Sequence, residues 1–307
     1  MASRTMSFTS LVSGLPSLPQ PVAVVCHDAG AANLILAEMN AFPNVQCLPV
    51  MQGPAQALWL ASNSAAIPIL SLENALFQAA SVLTGTSWAS DLEHQARLLA
   101  RDKGLPSITA LDHWVNYSER FERDGNAVQP DEIWVTDSYA FDLASNVFTG
   151  TTVREITNRY LHNQVKDIAA FGPPLNKNAV LYVLEPLRFT WPGCTQAGEF
   201  EALDFFVANL AKLPNPLTAQ IRLRPHPSDA IGKYDAWLLA NAHLNIALDH
   251  CDSLAQAIGE AQWVAGCESM ALIVALAAGR KTIATLPPAA PACRLPHNAL
   301  IHLRDLK

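Results

Sequence analysis

Apolar runs of strand length alternate with longer helix-like segments along nearly the whole chain, and few architectures accommodate that rhythm. PVAVVC (21–26) reads as a strand and AANLILAEMN (31–40) as a helix. VQCLPV (45–50), ASVLTG (80–85), PSITAL (106–111) and DEIWVT (131–136) read as further strands, with helices over 90–103 and through SYAFDLASNVF. Val/Ile/Leu strands without polar alternation are buried on both faces, and strand–helix–strand order makes such a sheet parallel. FGPPLNKN (171–178) interrupts the pattern with Gly and Pro, as a linker or hinge would. The rhythm then restarts with strands AVLYVLEP (179–186), AQIRLR (219–224), LNIALD (244–249), WVAG (263–266) and KTIATL (281–286), and with helices over 199–212 and 230–242. The expectation is an α/β protein with a flexible segment 1–20 and Rossmann-like parallel-sheet domains over 21–172 and 173–307, facing each other across a central cleft.

Half of the 307 residues are hydrophobic and 15% are charged, enough apolar material for two cores. The net charge of −7 argues against a nucleic-acid binder, which needs a broad basic field. The six cysteines (26, 47, 194, 251, 267 and 293) form no C-x-x-C pair, so a zinc ribbon is not expected and buried free thiols are. The Ser/Pro-rich first twenty residues lack the apolar core of a signal peptide, and MALIVALAAG (270–279) is too short to span a bilayer. A soluble, cytoplasmic protein is expected, with peripheral membrane contact left open.

RLRPHPSD (222–229) carries the densest chemistry. A parallel strand ending at Arg224 delivers the next residues to the carboxyl edge of its sheet, where open α/β folds bind ligands. Arg222 and Arg224 at i and i+2 share a face. His226, stiffened between prolines and followed by Pro227, would set an imidazole beside two guanidinium groups, a combination suited to a phosphate oxygen. The competing reading is a solvated strand end.

Two strand–turn–helix passages add candidates. In WVAGCESMALIVALAAG (263–279), Ser269 is a helix N-cap and Gly279 a stop; the free N–H groups of such a start attract anions, and Glu268 offers acceptors to ribose hydroxyls. The alternative is a plain capped helix. SLAQ (253–256) has the pattern of a further cap. In VVCHDAGAANLI (24–35), His27 and Asp28 close a strand, and Gly30 permits close approach. Asp28 either takes a proton from an attacking hydroxyl or caps the helix.

The first half contributes Thr84, Thr86 and Ser87 in LTGTSWASDLE, and Asp112, His113, Trp114 and Asn116 in LDHWVNYSERF. Polar groups beside aromatic ones suit a sugar, although each is equally compatible with a structural role. Asp137 and Ser138 read as a helix cap. There is no G-x-x-x-x-G-K-[ST] loop, H-E-x-x-H, G-x-S-x-G or Asp-x-Asp pair, which disfavours kinase, zinc-hydrolase and serine-hydrolase chemistry.

Taken together, the two halves and the missing Asp-x-Asp resemble GT-B-type glycosyltransferases. RPHPSD resembles the His-Pro motif of bacterial sialyl- and Kdo-transferases. That resemblance implies a CMP-activated donor, with no metal or other cofactor, whose phosphate is met by His226 and by the serine motif matched at Ser269. YVLEP (182–186) resembles the strand opening the nucleotide-binding half, which brings Glu185 near the site. It further implies a glycan or glycoconjugate acceptor in the first half, with Asp28 as base. Here this sequence departs from the family, since HDAG has one acid where the family motif has two. The alternatives are a UDP-sugar epimerase or hydrolase on the same fold, and a non-catalytic binding subunit.

Overall fold

The computed structural model describes residues 14–62, 66–212 and 220–306. The chain forms two compact units that divide between Tyr160 and Leu161. The first contains β1 (Val22–Cys26), α1 (Ala29–Ala41), β2 (Cys47–Met51), α2 (Gly53–Ala61), α3 (Leu72–Gln78), β3 (Ser81–Thr84), α4 (Leu92–Lys103), β4 (Ser107–Ala110), a hairpin of β5 (Glu122–Arg123) and β6 (Asn126–Ala127), β7 (Glu132–Val135), α5 (Ser138–Val147) and β8 (Thr152–Glu155). Its six-stranded sheet runs β2-β1-β3-β4-β7-β8, with every pairing parallel. All five residues of β1 are buried, as an unalternating Val/Ala run at the centre of a two-faced sheet requires. One face packs Trp59, Ile35 and Trp134, the other Leu76, Ala96 and Ala100.

Helix α6 (Arg159–Ala169) leads into the second unit, with β9 (Ala179–Val183), α7 (Gly198–Ala208), β10 (Gln220–Arg224), α8 (Asp235–Ala240), β11 (Ile246–Leu248), α9 (Leu254–Gly259), β12 (Trp263–Gly266), α10 (Met270–Ala277), β13 (Lys281–Ala284) and β14 (Ile301–His302). Its sheet, also wholly parallel, runs β11-β10-β9-β12-β13-β14. Helix α10 is apolar on all sides and buries Ala271 to Ala275 without a break. These are the two Rossmann-like parallel-sheet domains expected of a GT-B-like α/β fold. No helix among the described residues is long and apolar enough to cross a membrane.

Two boundaries fall elsewhere than the sequence suggested. Leu15 is fully buried in the first core, and its N–H donates to Glu38, so that core takes in residues ahead of 21; 1–13 lie outside the described residues. The units part twelve residues before the Gly-Pro stretch. Phe171 belongs to the second unit, because its ring fills the space above Gly259, where an added Cβ would come within 2.8 Å.

Candidate functional site

In each sheet the strand order reverses beside the first strand of the unit, between β1 and β3 and again between β9 and β12. Such a reversal opens a crevice at the carboxyl ends of the strands. The first unit gathers most of its sequence-derived candidates there. Past β1, Asp28 occupies the N-cap position of α1 but makes no side-chain capping bond. Its Oδ1 instead lies 2.7 Å from His27 Nδ1 and accepts from Ser87 Oγ at 2.8 Å. The Trp88 N–H reaches Oδ2 at 3.4 Å. The helix-capping alternative for Asp28 is therefore not the one adopted.

Behind this trio, the His27 N–H donates to Glu93 Oε1 at 2.7 Å. Asp112 comes from the end of β4 and lies over the start of α1. A Cβ on Gly30 would fall 1.7 Å from Asp112 Oδ2, so a side chain here would displace that carboxylate. Arg120 approaches Asp112 Oδ1 to 3.5 Å and donates to Thr86 Oγ1 at 2.9 Å. Burial raises the proton affinity of Asp112, against the pull of Arg120, and burial likewise raises that of Glu93. A half-buried carboxylate held by an imidazole and a hydroxyl is competent to accept a proton, and it lies near two carboxyls whose proton affinity burial raises.

Other first-half candidates stay structural. Thr84 is buried and pairs with Thr109 at 2.7 Å. Trp114 is buried and donates to Asp137, which also caps α5 through the Ala140 N–H. His113 sits edge-on to Trp114, and Asn116 supplies a left-handed turn at φ 56°. Sequence reasoning missed Glu93, Arg120 and Trp88. SDLE (90–93) has the pattern of a capping box, which conceals the use of Glu93 by His27.

In the second unit the RLRPHPSD expectation needs correction. Arg222 and Arg224 do share a face, but that face meets Asp249, whose side chain is fully buried. Arg222 Nη1 lies 3.2 Å from Asp249 Oδ1, and Arg224 Nη1 lies 2.5 Å from Oδ2. Arg222 further binds Glu260 at 2.7 Å and the Ala257 carbonyl at 3.0 Å, while Arg224 binds the Cys251 carbonyl at 3.0 Å. Both charges are neutralised within the protein, so neither arginine is free to meet an anion.

His226 and Pro227 are exposed. The His226 Nδ1 accepts from the Ser228 N–H at 3.2 Å and lies 2.8 Å from Ser228 Oγ. That arrangement puts the ring proton on Nε2, which has no partner among the described residues. Asp229 fixes the loop. Its buried carboxylate accepts from Lys233 at 2.7 Å, the Tyr234 hydroxyl at 3.0 Å and the His226 N–H at 3.1 Å. Burial works against its ionisation, but these donors prevail and hold its carboxyl below the usual range. Arg188, a residue the sequence did not single out, donates to Ser228 at 2.8 and 2.9 Å beside the imidazole.

At the β9/β12 crevice, Glu185 accepts from the Cys267 N–H at 2.8 Å and the Glu268 N–H at 2.9 Å. The backbone donors expected to meet an anion at the α10 start thus meet a carboxylate of the protein. Burial pushes Glu185 up to about 7, against those donors. Ser269 caps α10 by accepting from the Ala271 N–H at 3.2 Å. Glu268 is held by Arg294, Nε to Oε1 at 3.0 Å, rather than left open for ribose. The His226 loop and the Ser269 turn follow β10 and β12, which flank β9 on either side and so stand two strand spacings apart, about 10 Å.

No protein-family model and no curated protein sequence matches the chain. Solved structures do. The fold is similar to that of UDP-GlcNAc 2-epimerase from Methanocaldococcus jannaschii, with a TM-score of 0.62 at 9% identity over 92% of this chain and 88% of that one. It is similar to the Neisseria meningitidis UDP-GlcNAc 2-epimerase bound to UDP-GlcNAc, with a TM-score of 0.56 at 12% identity over 86% and 81%. The Rickettsia bellii UDP-N-acetylglucosamine 2-epimerase follows at 0.55 and 11% identity over 85% and 78%. At such identities the likeness establishes the fold alone.

Proposed function

We propose that the protein is a nucleotide-sugar-dependent glycosyltransferase of GT-B type, with the donor in the second unit and a hydroxyl acceptor in the first. The observation that carries this reading is the gathering of polar groups at the carboxyl edge of both sheets, on a fold shared with an epimerase solved with a nucleotide-sugar. The His-Pro resemblance specifies the donor as a CMP-activated sugar of the nonulosonate kind, and a surface glycan or glycoconjugate as acceptor. In this reading the acceptor oxygen attacks the anomeric carbon, its proton passes to Asp28, and the carbon–oxygen bond to the phosphate breaks. The departing phosphate takes a hydrogen bond from His226 Nε2–H, with Ser269 Oγ–H as a second donor and Arg188 as the nearby positive charge. No cation enters this scheme, so a chelator leaves turnover unchanged.

A second reading, a UDP-sugar epimerase or hydrolase, is supported by the likeness of fold to three UDP-GlcNAc 2-epimerases. Thermal-shift measurements with CMP, CDP, UDP and GDP separate the two. Stabilisation by CMP, lost in His226→Ala together with turnover, is expected for the transferase. Stabilisation by UDP alone, with turnover of a UDP-sugar and no acceptor, assigns the epimerase. Stabilisation by none of the four points to a non-catalytic binding subunit.

A further inference from the structure

Trp88 stands out in the first unit. It is a large aromatic residue on the rim of a polar crevice, and it is 52% exposed. It is nevertheless held in place. Its N–H donates to Asp28 Oδ2, and the Arg120 guanidinium carbon lies 5.6 Å from the centre of its ring. Arg123 donates to the Ser87 carbonyl and pairs with Asp91 at 3.1 Å, which pins the turn on both sides of the indole. An exposed indole with a fixed backbone and a cation beside it is a prepared surface for a flat, weakly polar face.

The crevice beside it holds acceptors that the protein leaves unmet. Among the described residues, Glu93 Oε2 and Asp112 Oδ1 are buried and accept no hydrogen bond. Buried acceptors are almost always satisfied, so a ligand or water that brings donors completes the site. The local charge is also informative. Asp28, Asp91, Glu93 and Asp112 supply four carboxyl groups against Arg97, Arg120 and Arg123, the last of which is paired with Asp91. Arg97 is committed to the Val128 carbonyl at 3.0 Å and the Gly85 carbonyl at 3.4 Å. Arg120 is committed to the Val115 carbonyl at 3.0 Å and to Thr86. A carboxylated or phosphorylated ligand gains little here, whereas a ring bearing several hydroxyl groups supplies the missing donors.

We infer that the β1/β3 crevice of the first unit is a subsite for an uncharged pyranose, with the Trp88 indole stacking on its apolar face and the Asp28 and Asp112 carboxyl groups accepting from its hydroxyls. This deepens the acceptor-side reading above and rests on it. It also narrows that reading, because the glycan end that enters is a neutral sugar and not an acidic one.

The test labels the protein with 5-fluorotryptophan and assigns the Trp88 resonance by its loss in Trp88→Phe. Methyl β-galactopyranoside, N-acetyllactosamine, maltose and N-acetylneuraminic acid are then titrated to about 50 mM, where millimolar affinity saturates. At least one neutral saccharide should shift the Trp88 signal saturably, and more tightly than N-acetylneuraminic acid does. Trp88→Ala should weaken that binding about tenfold or more, and Trp88→Phe should retain most of it, as an aromatic platform requires. Thermal melting checks that the exposed site tolerates both changes. The inference is overturned if no neutral saccharide moves the signal, if the acidic sugar binds more tightly, or if Trp88→Ala binds as the wild type does. Nucleotide stabilisation is a separate measurement, so failure here is distinct from failure of the donor reading.

Discussion

At the β1/β3 reversal, Asp28 takes hydrogen bonds from the Ser87 hydroxyl and the Trp88 N–H and contacts the His27 ring, and it leaves the α1 start without a side-chain cap. At the β9/β12 reversal, Glu185 takes its hydrogen bonds from the N–H groups of Cys267 and Glu268, and Ser269 caps the helix that follows. The two places are topologically equivalent, yet at the first Glu93 and Asp112 each keep a buried oxygen unmet, while at the second the Glu185 carboxylate is met by backbone N–H groups. Topology therefore marks where a ligand belongs, but which polar groups remain available depends on how each turn resolves its own hydrogen bonds. In the second unit that leaves the His226 imidazole, one strand over from β9, as the open donor.

This contrast implies that removing charged groups costs stability in the second unit and much less in the first. The largest effect is expected for Asp249→Ala, which leaves Arg224 without a carboxylate and Arg222 with Glu260 alone. Breaking a buried pair by deleting one partner typically costs about 3–5 kcal/mol, and the partial exposure of both arginines places this case near the lower end. Chemical denaturation read through a probe confined to the second unit measures it. A loss below about 1 kcal/mol would mean that the arginines do not depend on Asp249 and are free to meet a ligand.

Glu185→Ala comes next. It removes the acceptor of two backbone N–H groups, at about 2–3 kcal/mol for hydrogen bonds to a charged group. Its pH dependence is the sharper test. Burial raises Glu185 to about 7 in the folded protein, so the folded state binds this proton more tightly than the unfolded chain does. The associated stability is complete at acid pH and is lost as the pH climbs from the ordinary carboxylate range through about 7. Glu185→Gln should flatten that limb. The amide resonances of Cys267 and Glu268 report it free of the parallel titrations of Glu93 and Asp112 in the other unit.

Gly30→Ala tests the first crevice by space rather than charge. A Cβ there meets the Asp112 carboxylate at 1.7 Å, so the side chain must swing away. Overpacking costs about 1–3 kcal/mol, lessened here because the obstacle is a side-chain end rather than backbone. The expected signature is loss of saccharide binding at the Trp88 crevice with nucleotide stabilisation intact.

Much of this was legible in the chain. The unalternating runs at β1, β9 and β12 announced a parallel sheet, and the repeated strand ends before His27, Ser87 and Asp112 placed candidates at one edge. What stayed hidden was pairing over long sequence separations. Nothing near Arg222 and Arg224 in sequence signals that Asp249 neutralises them. Glu93 serves His27 across 66 residues, and Glu185 serves Cys267 across 82. Each such carboxylate changes the meaning of a motif that, read locally, looked like an open anion site or a plain cap. The β8 strand and α6 were also passed over, since TVRE and RYLHNQVKDIA carry mixed polar patterns at the rim of the sheet rather than the apolar runs of its centre.

The smallest expected effect bears most directly on the contrast. Ser269→Ala removes a working N-cap and should cost about 1 kcal/mol. Asp28→Ala changes the residue at the same structural position in the other unit, where no side-chain capping bond exists. It removes a carboxylate that raises the proton affinity of both Glu93 and Asp112, and the relief of that repulsion offsets the lost contacts with Ser87 and His27. Its stability change should stay within about 0.5 kcal/mol, while turnover falls if Asp28 is the base. Equal losses in both variants would mean that Asp28 does support its helix in solution. The first crevice would then be as self-satisfied as the second, and the asymmetry between the units would vanish.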